Sequence, residues 1–374
     1  MPPSSAVATA IPHGAVQLPS VVLDSYNVEL RDKEGFLGDR ASNRAFRAIL
    51  DDWRERLRQV GEDPLGKTAS RDISKKKLDK LLIEGDPEAA GVIHGAIEDF
   101  ARELATVVRR FLRLKGWRDT ERIVVGGGLR ESRIGELSVG RASVLLKADG
   151  VDIDLVPIRN HPDEAGLLGA GHLAPAWIFS GHDSLVGIDI GGTNFRAGIV
   201  RTNQKKAADL AKAEVWKLDL WRHRDEDPPP TREEAVARLA RMVTDLIAEA
   251  EEEGLKVAPF VGVGCPGIIE EDGAIDRGGQ NLPGNWESSR FNLVAALREA
   301  IPEIGGHETM VVMHNDAVVQ GLSEVPFMQD VTRWGVLTIG TGLGNARFTN
   351  RAPRKAAAEE DEEAKGGDDE SDET

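Results

Sequence analysis

The stretch Leu185-Val-Gly-Ile-Asp-Ile-Gly-Gly-Thr-Asn-Phe-Arg-Ala-Gly-Ile-Val200 predicts two apolar strands joined by a tight, glycine-rich turn. The turn carries Asp189, followed by Gly191, Gly192 and Thr193. Glycines let backbone N–H groups approach an anion closely, and a neighbouring hydroxyl adds a further donor. The stretch therefore predicts a hairpin that binds phosphate, although it begins only halfway along the chain.

Length and composition indicate a globular protein of two domains. The chain has 374 residues, of which 40% are hydrophobic and 29% charged. It has no apolar run of about eighteen residues, so we expect no membrane span. The single cysteine, Cys265, excludes an intrachain disulfide and a cysteine-built zinc site, and it favours a reducing cytoplasm. Residues 1–19 lack the pattern of a secretory signal and are expected to form a flexible leader.

The net charge of −16 is concentrated at one end of the chain. Residues 357–374 hold ten acidic residues and one lysine, which accounts for −9 of it. A segment this acidic, without an apolar pattern, predicts a disordered tail over 351–374. An acidic chain without a basic stripe also argues against nucleic-acid binding.

The hydrophobic pattern predicts alternating helices and strands around the hairpin. One helix is expected to begin at Asp86, where aspartate caps and the following proline suits the first turn. Another is expected to begin at Thr231, which forms a capping-box pattern with Glu234. The order of elements indicates mixed sheets covered by helices. The predicted helices are 41–58, 86–115, 231–253, 290–300 and 317–323, the predicted strands beyond the hairpin are 122–125, 151–156, 213–219, 261–264, 310–313 and 336–339, and 61–77 is expected to be a loop.

Four glycine-rich connections follow predicted strands. A single glycine run is most simply a tight turn, but four of them at strand ends indicate an anion site. Asp189, at the start of one, is expected to hold magnesium directly or through water, because this ion prefers a carboxylate and waters. The four connections are 126–128, 189–194, 264–267 and 340–344.

The second polar cluster is His314-Asn315-Asp316, after the strand MVVM. Asp316 can accept a proton from a substrate hydroxyl that Asn315 orients, which would make it a general base. Equally, Asp316 can be the N-cap of the helix that follows it. In the segment NLPGNW, Asn281 is a candidate polar contact and Trp286 a candidate wall for a sugar.

These segments together resemble the ROK family of bacterial sugar kinases, within the actin–hexokinase–Hsp70 fold group. DIGGTNFRAGIV is similar to the family's first phosphate motif and LTIGTGLGNARF to its second. GVGCPGIIEEDGAIDRGGQNLPGNW resembles the sugar-side segment, and HNDAVVQGLSE resembles the catalytic segment. The resemblance implies two RNase H-like (actin/hexokinase-type) α/β domains with mixed sheets and a cleft between them.

The resemblance also implies a site and its ligands. It implies an ATP- and Mg²⁺-dependent sugar kinase with Asp316 as base, Asp189 at the metal, and no structural zinc, since the family's cysteines are absent. The implied sugar contacts are Asn281, Asn315, Asp316 and Gly267. The implied phosphate and nucleotide contacts are Asp189, Gly191, Gly192, Thr193, Asn194, Arg196, Gly340, Thr341, Gly342, Gly344, Gly126, Gly127 and Gly128.

The order of the motifs departs from the family. The segment RIVVGGGLR, with VDIDLVPIRNHPDEAGLLGAGHL, resembles the family's C-terminal adenosine segment but precedes the first phosphate motif. A circular permutation explains this order, and a truncated kinase with an unrelated N-terminal domain is the alternative. Permutation predicts a sugar-side domain over 184–335 and a nucleotide-side domain over 20–175 with 336–350. It also predicts that 122–171 lies beside 189–194 and 340–344.

The family's Glu-x-x-His sugar element has no clear match here. His13, Glu29 and Glu34 are candidate substitutes, although each is more simply a surface residue. The expected reaction is phosphorylation of a hexose, first of all glucose, in the cytoplasm. A kinase for an aminosugar or fructose, a polyphosphate-dependent glucokinase and a non-catalytic sugar-binding regulator remain alternatives. Dimers are common in the family, so a homodimer is one state open to the chain.

Overall fold

A computed structural model describes residues 12–33 and 35–351. Most of the expected leader, Glu34 and nearly all of the expected acidic tail lie outside these residues. Within the described part of the chain, no helix is both long enough and apolar enough to cross a bilayer.

The described strands include ten long enough to build two large sheets and three pairs of very short strands. In chain order they are β1 (Val21–Tyr26), β2 (Arg31–Asp32), β3 (Gly35–Phe36), β4 (Arg122–Gly126), β5 (Asp154–Pro157), β6 (Ser184–Ile190), β7 (Phe195–Arg201), β8 (Glu214–Trp221), β9 (Val257–Cys265), β10 (Ile268–Ile269), β11 (Ile275–Arg277), β12 (Glu303–Ile304), β13 (His307–Glu308), β14 (Met310–Asn315), β15 (Arg333–Ile339) and β16 (Leu343–Asn350).

The α-helices of the described chain vary in length from 26 residues in α3 to seven in α8. In order they are α1 (Asn43–Arg58), α2 (Lys75–Glu84), α3 (Pro87–Leu112), α4 (Arg133–Ala148), α5 (Pro162–Ala170), α6 (Arg232–Glu252), α7 (Leu293–Ala300) and α8 (Asp316–Leu322). Asp86 caps α3, and Thr231 with Glu234 forms the capping box of α6, so both predicted helix starts are confirmed.

Sheet I and sheet II each contain five strands. Sheet II has the order β8-β7-β6-β9-β14, in which β6, β7 and β8 are antiparallel and β9 and β14 run parallel to β6. Sheet I has the order β1-β16-β15-β4-β5, in which β15, β16 and β1 are antiparallel and β4 and β5 run parallel to β15. The expectation of a mixed α/β fold with two mixed sheets is confirmed.

The two sheets have one spatial pattern but different chain orders. The strands β6, β7, β8, β9 and β14 of sheet II correspond in position and direction to β15, β16, β1, β4 and β5 of sheet I. In sheet I, the first two strands of the pattern therefore come last along the chain. The backbone N–H of Arg351 donates to the carbonyl of Ser20 at 3.1 Å, which continues the pairing of β16 with β1.

A core of apolar side chains joins the two sheets through α5 and α8. Leu167 and Ala170 of α5 and Val319 of α8 are fully buried in it, together with Val336 of sheet I and Phe260 of sheet II. Separate cores lie between sheet I and the helices α1, α3 and α4, and between sheet II and the helices α6 and α7. The ends of α5 and α8 are thereby held at the junction of the two sheets, where the site lies.

Candidate active site

One cleft of about 890 Å³ collects the glycine-rich connections at the sheet ends. The turn between β6 and β7, the turn between β15 and β16, and the ends of β4 and β9 all open into it. Segments from 127–131 and 162–163 therefore lie beside 189–194 and 340–344. The sequence-predicted residues lining it are Gly127, Gly128, Asp189, Gly191, Gly192, Thr193, Asn194, Arg196, Gly267, Asn281, Asp316, Gly340, Thr341, Gly342 and Gly344.

The two turns that carry threonine meet across the cleft. The hydroxyl oxygens of Thr193 and Thr341 are 3.2 Å apart. The second turn is held by α1, because the backbone N–H of Asn43 donates to the carbonyl of Gly340 at 3.0 Å. The Arg44 side chain donates to the carbonyl of Thr341 at 3.3 Å. The two turns can thus offer hydroxyl and backbone donors to one anionic group.

The end of β4 completes the wall on the side of sheet I. Gly127 has a φ of +85°, and a Cβ there would lie 2.7 Å from the carbonyl carbon of Ile339. Glycine is therefore required for β4 and β15 to end side by side. The ammonium group of Lys75 donates to the carbonyl of Gly128 and lines the same wall, and burial lowers its pKa. Lys75 supplies a cation that the sequence analysis did not identify.

Two carboxylates, those of Asp316 and Asp189, lie on the floor of the cleft. Burial, and then the negative charge of Asp189, raise the pKa of Asp316 to about 7. Burial likewise raises the pKa of Asp189, and Arg196 opposes that shift with a hydrogen bond of 3.1 Å. A carboxylate that titrates near neutrality is able to accept a proton from a bound hydroxyl.

Asn315, and not Asp316, is the N-cap of α8. Its Oδ1 accepts from the backbone N–H groups of Ala317 at 3.0 Å and Val318 at 3.4 Å, and its Nδ2 donates to the carbonyl of Gly267 at 2.9 Å. The residue is 1% exposed and, like Gly126, is absent from the cleft lining. A direct contact between Asn315 and a sugar would require this network to open.

The Asp316 carboxylate, next to this cap, lines the cleft, and its Oδ1 accepts from the N–H of Ala317 at 2.9 Å. The sequence left two roles equally open for Asp316, a general base or a helix cap, and the structure gives the cap to Asn315. His314 is buried behind them and lies 3.2 Å from the carbonyl of Ala15, and His13 accepts from the N–H of Met313 at 3.1 Å. Both imidazoles are packing groups.

The prediction that Trp286 forms a wall of the cleft is wrong. Its side chain is 1% exposed, donates to the carbonyl of Pro283 at 2.6 Å and packs edge-on against Phe195. Asn281 does line the cleft, and its Cβ would lie 2.8 Å from a Cβ on Gly192. The turn between β6 and β7 therefore approaches Asn281 so closely that position 192 has no room for a side chain. Cys265 is buried, as expected of a small core residue.

A further group of possible metal ligands lies at the rim of the cleft. Single ligand atoms of Glu131, His161 and Asp163 all lie within 4.8 Å of one another. Asp163 is already paired with Arg196 at 2.7 Å, and Arg196 in turn contacts Asp189. The Asp163 carboxylate therefore orients Arg196 beside Asp189, which is the more deeply buried acid and the better candidate for holding magnesium.

The fold and the cleft define an α/β protein with a glycine-lined cleft where two related sheets meet. Residues 185–358 match the model of the ROK family. The glucokinase of Thermotoga maritima is 27% identical over 168 residues, which are 44% of this chain and 44% of that protein. The chain thus spans less than half the length of this curated relative.

A solved structure, the ROK hexokinase from Thermus thermophilus, is 23% identical with a TM-score of 0.31. That match covers 46% of this chain and 49% of the other.

Proposed function

We propose that the protein is a sugar kinase that transfers the γ-phosphoryl group of ATP to the primary hydroxyl of a hexose, with glucose as the first candidate. The observation that carries the proposal is the meeting of Asp316 with the paired threonine turns in one cleft. Phosphoryl transfer needs donors around the phosphates and an acceptor beside the attacking hydroxyl. The ROK-family match and the glucokinase relative support the same reading.

In this proposal Asp316 accepts the proton of the attacking hydroxyl. Its raised pKa makes it a stronger base than an ordinary aspartate while it remains largely ionised slightly above neutrality. The hydrogen bond from the Ala317 N–H fixes one carboxylate oxygen, so the other is free to face the substrate. Thr193, Thr341 and the glycine N–H groups around them would bind the donor phosphates.

The two floor carboxylates fit a divalent cation. Burial raises the pKa of both acids, and a neighbouring negative charge, Asp163 for Asp189 and Asp189 for Asp316, raises each further. A bound cation would therefore stabilise the ionised carboxylates. Asp189 would hold magnesium, directly or through water. When bound with ATP, the ion supplies neutralisation of the phosphate charge.

A panel of sugars and donors tests the proposal. The rate of sugar phosphate formation is measured for glucose, fructose and N-acetylglucosamine, each with ATP and with polyphosphate as donor. The pair of glucose and ATP is expected to give the highest rate. A preference for polyphosphate, or for another sugar, would select one of the enzymatic alternatives. Calorimetric binding of glucose without product from either donor would instead favour the non-catalytic regulator.

We also propose that the chain is circularly permuted relative to the ROK family, with a nucleotide-side domain from 20–175 and 336–350 and a sugar-side domain from 184–335. The shared strand pattern of the two sheets supports this, because only the chain order differs. In a rearranged chain, 184–351 is placed before 12–183 and joined to it by a flexible linker. The melting temperature of this chain is expected to lie within a few degrees of that of the parent chain. A rearranged chain that lacks a cooperative transition would contradict the permutation.

A further inference from the structure

The segment 27–30, directly after β1, enters the cleft from the side of sheet I. It faces Gly267 and Gly278, which approach so closely that a Cβ on Gly278 would lie 2.7 Å from the Cα of Gly267. The same Cβ position is 3.5 Å from the Nδ2 of Asn27. The carboxamide of Asn27 therefore lies beside these two glycines in the lining of the cleft.

Asn27 adopts a backbone conformation that few side chains tolerate. Its φ is +48°, in the left-handed region that glycine and asparagine populate most readily. Such conformations cost free energy and persist where the surroundings enforce them, often at binding sites. Here the conformation turns the chain out of β1 and into the cleft.

Asn345 enforces this conformation. Its Oδ1 accepts from the N–H of Val28 at 2.9 Å, its Nδ2 donates to the carbonyl of Val28 at 3.1 Å, and its own carbonyl accepts from the N–H of Asn27 at 2.9 Å. Asn345 is 2% exposed and lies in β16, just after the turn that carries Thr341. Segment 27–30 is thus attached to the same strand as the second phosphate turn.

The side chain of Asn27 has no hydrogen-bond partner among residues 12–33 and 35–351, although its backbone is held on both sides. The carboxamides of Gln280 and Asn281 line the same cleft and are likewise without an internal partner in the described chain. Each carboxamide offers two donors and one acceptor and carries no charge. Groups of this kind match the hydroxyls of a neutral sugar, which donate and accept in turn.

We propose that the Asn27 carboxamide hydrogen-bonds a sugar hydroxyl and is a specificity-determining residue for neutral hexoses, an inference that rests on the proposed kinase function. Glu29, in the same segment, is exposed at the cleft and lies 3.9 Å from the guanidinium of Arg31, so this pair adds no net charge beside Asn27. The substrate class is therefore a neutral polyhydroxylated ring. In this arrangement the sugar is bound partly by a segment far from the sugar-side motifs in sequence.

The variant Asn27→Gly tests the proposal without disturbing the backbone, because glycine accepts a φ of +48°. The matched control is Asn203→Gly, since Asn203 also has a left-handed φ, +47°, but lies on an exposed loop outside the cleft. For Asn27→Gly we expect the KM for glucose to rise about tenfold, the scale of one hydrogen bond, with the KM for ATP unchanged. The control is expected to leave both values unchanged.

Single-deoxy glucose analogues identify the contact. In the wild type, the analogue that lacks the contacted hydroxyl should lose about tenfold in kcat/KM, and Asn27→Gly should be indifferent to that one hydroxyl. An Asn27→Gly variant with wild-type KM for glucose, or additive losses for every analogue, would overturn the inference and leave the kinase intact. If no donor gives sugar phosphate, the kinase fails, and calorimetric titration of glucose into wild type and Asn27→Gly decides the contact alone.

Discussion

Replacing Asp316 with asparagine is expected to lower kcat by about 10³-fold while glucose binding stays within a few-fold of the wild type. The carboxamide keeps the shape of the side chain, and its oxygen can still accept from the Ala317 N–H. What it loses is the ability to take a proton from the substrate. The loss should therefore appear in kcat, with little change in affinity measured by calorimetry.

The same variant is expected to be more stable than the wild type at pH 8. The pKa of Asp316 is about 7 in the folded protein against an ordinary value of 3.8, so the folded state holds the proton more tightly. Stability therefore falls as the pH rises from about 4 to about 7, and it stays low above that range. Removing the charge should restore about 2 to 4 kcal/mol at pH 8 and almost nothing at pH 4.

Activity and denaturation measured across this pH range separate the two effects. In the wild type, kcat/KM should rise towards pH 7 as Asp316 loses its proton, and the residual rate of Asp316→Asn should lack that rise. The control is Asp225→Asn, which removes an exposed carboxylate at the cleft edge and should change neither kcat nor stability appreciably. A kcat within tenfold of the wild type would reject Asp316 as the base. If Asp316→Asn is no more stable than the wild type at pH 8, the conclusion that Asp316 carries a destabilising buried charge would be rejected.

Local sequence patterns predicted the elements that depend on neighbouring residues, such as strands with alternating apolar residues and capped helix starts. The alternation of apolar residues and the glycine turn placed β6 and β7 within a residue or two of their observed limits. Capping chemistry placed the starts of α3 and α6. The helix α4 was missed because its sequence, RIGELSVGRASVLLKA, contains two glycines and no continuous apolar stripe. The start of α2 at Lys75 was assigned to the preceding loop because the helix opens with three lysines, which extend the polar character of that loop.

The site residues that lie on sequence motifs could be predicted. Those that enter the cleft only through long-range strand pairing could not. Asp189, near the end of β6, and Asp316, directly after β14, could be recognised by type and position. Asn27 reaches the cleft only because β1 pairs with β16, more than three hundred residues later. A left-handed asparagine after a strand leaves no periodic signal, so its place in the cleft could not be predicted from the local sequence. The shift of the cap from Asp316 to Asn315 is a matter of one residue, which is finer than pattern analysis resolves.

Replacing Gly169 with alanine is expected to destabilise the fold by about 3 kcal/mol and to lower activity with it. Gly169 lies in α5 where this helix crosses α8, and a Cβ there would overlap the carbonyl oxygen of Val319 and lie 3.2 Å from the N–H nitrogen of Ser323. Both contacts are backbone atoms of the helix region that begins with Asp316, and backbone atoms cannot rotate aside as a side chain could.

The overlap forces α5 and α8 apart, and this displacement changes the surroundings of both carboxylates in the cleft. Gly166, one turn earlier in α5, lies against Asp189, where a Cβ would come within 2.6 Å of the carboxyl carbon. A shift of α5 therefore moves the wall behind one floor carboxylate, and a shift of α8 moves the other. Because the core between the sheets is densely packed, neither helix can retreat without opening a cavity.

Gly140→Ala is the matched control for this substitution. Gly140 is also inside a helix, α4, but it is exposed, and nothing lies within 4 Å of the position its Cβ would take. Alanine should stabilise that helix by up to about 1 kcal/mol through its higher propensity. The two glycine-to-alanine changes should thus move the denaturation midpoint in opposite directions. Ordinary surface substitutions change the free energy of unfolding by no more than about 0.5 kcal/mol. If Gly169→Ala also stays within that range, close contact between α5 and α8 does not hold the two carboxylates together.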